Sequence, residues 1–274
     1  MNIGCHVSIA QGAFNAPQRA ADLGAECFQI FTRSPQGGKA PILTQEICEK
    51  FKISNLKFKI KEVYVHTPYY INFASANNRI RYGSIAVLRD ELERASLLGA
   101  KYVMTHLGSA GELPEPEATA KVAEMLSKTL EGYAGSTELL IENSAGAGKI
   151  IGATFTQIAE IIQTVNHPKL NGICLDTQHS FASGYDWRDF EKTLERIDAE
   201  IGLEKIKLIH ANDSLTECGS KKDRHAHIGE GLIGAEAFQK IVAFAQKNNI
   251  DMILETEHEK VMTDIELLKS FREK

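Results

Sequence analysis

The sequence lacks several features that mark secreted or membrane-bound proteins. Its five cysteines are an odd number without a CxxC pair, so we expect buried free thiols in a reducing compartment and no disulfide framework. No run reaches the roughly eighteen apolar residues of a membrane span. The start, MNIGCHVSIAQG, shows no basic segment followed by an apolar one. We therefore expect a cytoplasmic protein without a membrane partner.

A basic excess is also missing. The chain has 31 lysines and arginines against 36 acidic residues, for a net charge of −5. Nucleic-acid-binding domains usually carry positive charge, so this balance argues against nucleic acid unless bound cations supply it. With 274 residues, of which 43% are hydrophobic, the chain can form a sizeable core by itself.

Short apolar segments alternate with longer stretches of helical periodicity. The helical stretches include 84–100 and 117–134, where apolar residues recur three and four apart. Eight repeated strand-helix units predict an α/β fold, namely a (β/α)₈ TIM barrel that forms one domain over 1–274. The predicted strands are 2–7, 27–31, 63–66, 102–106, 138–143, 172–176, 207–212 and 252–256.

The least regular stretches each follow a predicted strand. In a barrel such loops gather at the C-terminal face, where active sites of this fold lie. These stretches are 34–41, 109–117, 144–153 and 213–233.

Polar side chains recur where the predicted strands end. Any one of them has an ordinary explanation, such as a helix cap or an ion pair, but their shared position favours one common site. His167 and His258 lack this placement, and we expect them to be surface groups. The converging set is His66, His106, Glu142, Asp176, His179, His210, Asp223, His225 and Glu255.

Carboxylates gathered in one partly desolvated site repel one another unless cations balance them. Imidazole and carboxylate ligands together suit zinc, and manganese or iron also accept them. At three protein ligands per ion with an open position for water, nine donors predict about three ions. Three divalent ions would change the net charge from −5 to about +1 and focus positive potential at the site, so nucleic acid is again an acceptable substrate.

The chain resembles the endonuclease IV family of apurinic/apyrimidinic endonucleases nearly from end to end. The motifs that carry the resemblance include HTPYYINFAS (66–75), IENSAGAG (141–148), LDTQHSFASGYD (175–186), HANDS (210–214) and DRHAHIGEG (223–231). The resemblance implies a trinuclear zinc site, double-stranded DNA as partner, and cleavage of the phosphodiester bond 5′ to an abasic site. Removal of blocked 3′ ends is a further activity that it suggests.

The resemblance also implies how the ligands divide. One zinc would take His66, His106 and Glu142, and Glu142 would bridge to a second held by Asp176, His210 and Glu255. The third would take His179, Asp223 and His225. A hydroxide between the first two ions would be the nucleophile, with Glu142 as the catalytic residue that helps to activate it.

Neighbouring residues have expected supporting roles. His6, Asn143 and Asn212 are candidates for hydrogen bonds to the ligands. Tyr69 and Tyr70 follow the third strand, where the family inserts side chains into the DNA minor groove. We expect Arg33, Gln36, Lys39 and Arg224 to contact DNA, and the other loop lysines that could meet phosphates are Lys149, Lys221 and Lys222.

We expect three departures from the family pattern to affect the affinity for DNA. The loop after the second strand, SPQGGKAP, lacks the usual arginine and tryptophan. The usual HPGSH is HLGSA, and LETP is LETE, which adds Glu257 beside the site. No metal ligand is lost. We expect a monomer, because such a rim must stay open to a duplex.

Two alternatives stay open. Glu142, Asp176, His210 and Glu255 by themselves would suit a sugar isomerase or epimerase that uses one or two divalent ions on the same type of barrel. That interpretation leaves the other five donors without a function. A protein that retained the site without turnover, and that binds DNA or stores metal, is the third hypothesis.

Overall fold

Eight parallel strands close into a barrel in the computed structural model, which describes residues 1–273. Each strand pairs with its neighbour in the chain, and β1 closes the barrel against β10. The barrel strands are β1 (Ile3–His6), β2 (Cys27–Ile30), β3 (Val63–His66), β4 (Tyr102–Thr105), β5 (Glu138–Glu142), β6 (Leu170–Asp176), β7 (Ile206–His210) and β10 (Asp251–Leu254).

Helices surround the barrel and bury their apolar faces against the outer faces of the strands. Two 3₁₀ turns, Ala13–Asn15 and Leu203–Lys205, add to them. The helices are α1 (Ala16–Asp22), α2 (Gln45–Lys57), α3 (Asn78–Leu98), α4 (Glu115–Leu130), α5 (Phe155–Val165), α6 (Thr177–Ala182), α7 (Phe190–Ile201), α8 (Ala235–Lys247) and α9 (Val261–Arg272).

The barrel and its eight predicted strands are confirmed, with shifts at the ends of elements. α3 begins before the predicted range 84–100, because the Asn77 side chain caps it by accepting a hydrogen bond from the Arg79 backbone N–H. α4 ends at Leu130, short of the predicted 134, and Gly132 follows with a φ of 66°. Local capping, which apolar periodicity does not report, sets these boundaries.

Inward-facing residues form layers across the barrel. The middle layer is apolar and consists of Cys27, Tyr64, Met104, Leu140, Cys174, Leu208 and Ile253. Since alternate residues of a strand face the same side, the residues two positions later form the next layer toward the C-terminal face. That layer is polar: Gln29, His66, His106, Glu142, Asp176, His210 and Glu255.

The predicted irregular run 213–233 contains a small antiparallel pair, β8 (Asp213–Ser214) and β9 (His225–Ala226). The buried carboxylate of Asp213 organises the rest of this loop. It accepts hydrogen bonds from the backbone N–H groups of Gly229 (2.9 Å), Gly231 (3.1 Å) and Ile233 (2.9 Å). A Cβ on Gly231 would lie 2.5 Å from Asp213 Oδ1, so this close approach requires glycine.

The thiols agree with the sequence expectation. All five cysteines are free, and Cys5, Cys27, Cys48 and Cys174 are buried. Within residues 1–273, no helix has both the length and the apolar character needed to cross a membrane.

Candidate metal centre

The nine predicted donors converge at the C-terminal mouth of the barrel, where six of them line a cavity of about 370 Å³. Eight of the nine form overlapping groups whose candidate ligand atoms lie within 4.8 Å of one another. The groups are His66, His106 and Glu142; Glu142, Asp176, His210 and Glu255; and Asp176, His179 and His225. Asp223 lies beside the last group, at 3.3 Å from both His179 and His225.

The first group centres on one oxygen of Glu142. Oε2 lies 2.8 Å from His66 Nε2 and 3.5 Å from His106 Nε2. The other ring nitrogen of His66 donates to the Thr67 carbonyl at 2.6 Å, which orients Nε2 toward the carboxylate. His66 and Glu142 are buried, and His106 is half-buried.

The second group meets the opposite oxygen of the same carboxylate. Glu142 Oε1 lies 3.2 Å from His210 Nδ1, and Glu255 Oε2 lies 3.2 Å from the same nitrogen. Glu142 therefore faces a different imidazole group with each of its oxygens, and this arrangement lets one carboxylate bridge two ions.

The third group combines α6 with the loop before β9. Asp176 ends β6 and caps α6 by accepting from the His179 backbone N–H at 2.6 Å, so it is both a helix cap and a candidate ligand. His179 Nδ1 donates to the Asn143 carbonyl at 3.0 Å, which leaves Nε2 for Asp223. Asp223 and His225 lie two residues apart, and their side chains approach each other, with Asp223 Oδ1 3.3 Å from His225 Nε2.

The candidate supporting residues contact the donors directly or through a neighbour. Asn212 donates to Asp176 Oδ2 at 2.7 Å and accepts from the Glu255 N–H at 2.9 Å. The Asn143 side chain bonds both the N–H and the carbonyl of Asp176. His6 reaches the donors through Gln29, whose amide lies 3.1 Å from His6 Nδ1.

The sequence analysis missed Gln29. It is fully buried, donates to Glu255 Oε1 at 2.6 Å, and its carbonyl accepts from His210 Nε2 at 2.8 Å. A signal existed: Gln29 is the one amide within the apolar run CFQIF, and it follows an inward-facing residue by two positions.

Asp264 was also missed, and no sequence pattern distinguishes it from other acidic residues on α9. Its carboxylate binds His227 Nδ1 at 2.7 Å, the Ile228 N–H at 3.0 Å and Thr256 Oγ1 at 2.7 Å. It thereby ties the segment that carries His225 to the strand end that carries Glu255.

Electrostatics make the site suitable for cations. Burial opposes charge on Glu142, but His106, His210 and His179 outweigh it and hold the Glu142 pKa well below its usual value. Burial also opposes protonation of the imidazoles, yet the surrounding carboxylates raise the pKa values of His66, His179 and His225. Cys174, together with Glu255 and Glu142, raises the pKa of His210. For His106 burial prevails and lowers the pKa to about 4.

The residues present fit metal ions. His225 Nε2 is a buried ring nitrogen that makes no hydrogen bond within residues 1–273, although Asp223 Oδ1 lies 3.3 Å away, and such a group is costly unless something binds it. Imidazoles that lose their protons to a metal, beside carboxylates, are ligands that zinc accepts. The donor set could therefore hold divalent ions, with Glu142 shared between two of them.

Comparison with known proteins identifies the family. The model of the xylose isomerase-like TIM barrel family matches residues 17–272. A probable endonuclease 4 of Cenarchaeum symbiosum (strain A) is 35% identical over 280 residues, which cover 99% of each chain. The crystal structure of endonuclease IV from Thermus thermophilus superposes with a TM-score of 0.88 at 30% identity, covering 100% of this chain and 99% of that one. The chain belongs to the endonuclease IV family.

Sugar-epimerase structures share the fold with this endonuclease IV family member. A D-tagatose 3-epimerase-like protein matches with a TM-score of 0.75, over 100% of this chain and 97% of that chain, at 20% identity. At that identity the likeness concerns the barrel alone.

Two loops of this endonuclease IV family member, those after β2 and β3, were predicted to face DNA. Both lie beside the cavity. Tyr69 is 68% exposed, and its ring centroid lies 5.3 Å from that of Phe31. Tyr70 is exposed beside the loop after β2, where its ring approaches Gly37. Gln36, Lys39 and Arg224 are exposed as well.

The prediction that Arg33 contacts DNA does not agree with its position. Arg33 is only 8% exposed and forms ion pairs with Asp90 and Glu91 of α3. Glu91 also accepts a 2.6 Å hydrogen bond from Thr32 Oγ1. Arg33 therefore anchors the base of the loop after β2, and Lys39 is the exposed cation that the segment 34–41 retains.

His258 is exposed, as expected, but it also lines the cavity, together with His6 and Phe31. No strand end places it there, because it follows β10 in a loop. Its position beside the donors was not predicted.

Proposed function

We propose that the protein is a metal-dependent DNA-repair endonuclease of deoxyribonuclease IV type. It hydrolyses the phosphodiester bond 5′ to an abasic site in double-stranded DNA and leaves a 3′-hydroxyl and a 5′-deoxyribose phosphate. The observation that carries the proposal is the convergence of nine candidate metal ligands at the barrel mouth, eight of them in overlapping groups and Asp223 beside them. The names of its relatives support the same activity.

The proposed ligands are the nine predicted donors, which would hold three ions. The first set is His66, His106 and Glu142; the second is Glu142, Asp176, His210 and Glu255; and the third is His179, Asp223 and His225. Zinc is the proposed metal, and Mn²⁺ or Fe²⁺ would also accept these donors. Bound ions of this kind lower the pKa of water and stabilise charge on phosphate and on the leaving 3′-oxygen.

The chain's own residues orient this chemistry. Glu142 presents one carboxylate oxygen to His66 and the other to His210, and so fixes the separation of these two imidazoles. Asn212 and Gln29 hold Asp176, His210 and Glu255 by hydrogen bonds. Tyr69, exposed at the cavity rim, is placed to stack into the gap that an extruded nucleotide leaves, and Tyr70, Gln36, Lys39 and Arg224 extend the contact with the duplex.

An incision assay tests the proposal. The substrate is a duplex with one tetrahydrofuran abasic analogue, assayed before chelation, after chelation and after zinc is restored. We expect cleavage 5′ to the analogue that chelation abolishes and zinc restores. A second duplex with a blocked 3′ end tests the proposed 3′-phosphodiesterase activity.

Glu142→Gln isolates the bridging carboxylate. We expect it nearly to abolish incision while duplex binding stays detectable. Glu138→Gln is the matched control, because Glu138 begins the same strand β5 at its other end, away from the donors. Full incision by Glu142→Gln would refute the proposed role.

The second candidate is a sugar isomerase or epimerase, favoured by the group of Glu142, Asp176, His210 and Glu255 alone. An aldose-ketose conversion assay run beside the incision assay separates the two. Sugar conversion without incision would establish the second candidate, and neither activity would indicate a protein that binds without turnover.

A further inference from the structure

A second cavity, of about 500 Å³, opens at the same end of the barrel among the loops after β4, β5, β6 and β7. The chain that follows Glu142 and the helix α6 separate it from the metal donors. Two hydrogen bonds hold this wall together: His179 Nδ1 to the Asn143 carbonyl (3.0 Å) and Ser183 Oγ to the His179 carbonyl (2.9 Å). A ligand in the second cavity would therefore lie alongside whatever occupies the first.

Two lysines without ionic partners line this cavity. The ammonium groups of Lys149 and Lys221 have no hydrogen bond or ion pair within residues 1–273. The neighbouring Lys222 is also exposed but does not line the cavity. The structure thus distinguishes lysines that the sequence analysis grouped together.

The backbone holds Lys221 in an unusual conformation. Its φ is 57°, a left-handed value that costs free energy for a residue other than glycine. Its N–H donates to the Ala182 carbonyl at 2.9 Å. Its stem packs over Gly146, where an added Cβ would lie 3.7 Å from Lys221 Cγ. These contacts direct the lysine over the glycine-rich loop.

That loop offers further donors. The consecutive backbone N–H groups of residues 145–149 have no acceptor in the described part of the chain. Gly146 and Gly148 have φ values of 83° and 59°, and positive φ values in such a run turn successive N–H groups toward a common side. Concave arrangements of this kind bind anions.

The opposing charge is small. Among the described residues, Glu115 is the one carboxylate in the lining, and its Oε1 accepts a 3.1 Å hydrogen bond from Gln157 Nε2. Two ammonium groups and a row of unpaired N–H groups therefore outweigh one carboxylate, and the cavity favours an anion.

We propose that this cavity binds a backbone phosphate of the DNA, on a nucleotide other than the one whose linkage is cleaved. The proposal rests on the proposed function. A phosphate group is the ligand chemistry, and its sources are the DNA backbone or free phosphate. Lys221 lines this cavity and lies two residues before Asp223, which lines the first. Because the two cavities are this close, we take the DNA backbone as the source.

The first measurement is the salt dependence of the affinity of the metal-loaded protein for the incised product duplex, in which the susceptible linkage is already broken. Each phosphate contact contributes about 0.9 to the slope of log affinity against log salt concentration. Because both lysines are proposed to contact the same phosphate, we expect Lys149→Met and Lys221→Met each to reduce the slope, and the double variant to reduce it by about 0.9. Lys222→Met is the matched control with the same charge change. An equal reduction in Lys222→Met would overturn the proposal, because general surface charge would then explain the effect.

The second measurement replaces single backbone phosphates by neutral methylphosphonates, one position at a time. We expect one position outside the cleaved linkage to weaken binding by the parent protein but not by Lys221→Met. Titration of the chelated protein with inorganic phosphate tests the other source. Phosphate binding that requires Lys221, without a coupled methylphosphonate position, would assign the cavity to free phosphate and overturn the DNA assignment.

If no methylphosphonate position is coupled to Lys221, and if inorganic phosphate does not bind in a Lys221-dependent way, the cavity is not an anion site and the proposal is wrong. Failure of the proposed function is distinguishable. A parent protein that incises the abasic duplex but shows no coupling rejects only this inference. A parent that neither binds nor incises DNA rejects the proposed function, while the inorganic phosphate titration still reports on the cavity.

Discussion

The Gln29 side-chain carbonyl lies 2.8 Å from Nε2 of His210, and this contact leaves His210 Nδ1 facing Glu142 and Glu255. Hydrogen bonds to the second ring nitrogen orient a metal-binding histidine and fix its tautomer. Gln29 also donates to Glu255. One buried amide therefore orients two of the candidate ligands.

Gln29→Met should keep the volume of the side chain but remove both hydrogen bonds. Loss of such contacts typically lowers metal affinity by about 10–100-fold, and we expect a decrease of that order. Competition with a chromophoric chelator measures it. Gln163→Met, on the exposed face of α5, is the control and should leave metal affinity unchanged. Equal affinities in the two variants would show that Gln29 does not orient the ligands.

Metal binding should release protons. The pKa values of His66, His179, His210 and His225 are raised, so the metal-free imidazoles keep their protons to higher pH than free histidine does, and a ligating nitrogen must lose its proton. Metal affinity should therefore rise with pH and fall as the pH drops. Calorimetric titration with zinc in two buffers of different ionisation enthalpy counts the protons. The same heat in both buffers would contradict these pKa directions.

Asp213→Asn should destabilise the loop that carries Asp223 and His225. The substitution removes a buried charge that accepts several backbone N–H bonds, and such a loss costs about 1–3 kcal/mol. Denaturant unfolding measures the change, with Asp189→Asn as an exposed control whose side chain caps nothing. If Asp213→Asn and Asp189→Asn have the same free energy of unfolding, Asp213 does not stabilise this loop.

Gln36→Arg should tighten binding to the abasic duplex. Gln36 is exposed on the loop after β2. The natural arginine of this region, Arg33, is buried in ion pairs with Asp90 and Glu91. A new phosphate contact should raise the salt slope by about 0.9. The test is the dissociation constant at matched salt. An unchanged value would argue against a role of this loop in holding DNA.

The fold and the donors at the ends of the barrel strands could be predicted from sequence because both follow short-range periodicity. Alternating residues place His66, Glu142 and His210 on the inner face of their strands, and barrel closure brings these strand ends together. The signal is strong because it repeats around the barrel.

The errors concern contacts between distant parts of the chain. Arg33 was predicted to meet DNA because its loop faces the mouth, whereas Glu91, far along the chain on α3, holds it inside. The roles of Asp213 and Asp264 depend on backbone N–H groups that only the folded loop presents. Residue type alone does not reveal such pairings.

Elemental analysis of the purified protein tests the central claim most directly, because that claim assigns bound metal ions to the converging carboxylates and imidazoles. The account predicts about three transition-metal ions per chain, chiefly zinc, that are lost together with incision on chelation. Protein that incises the abasic duplex at full rate without any transition metal would contradict it.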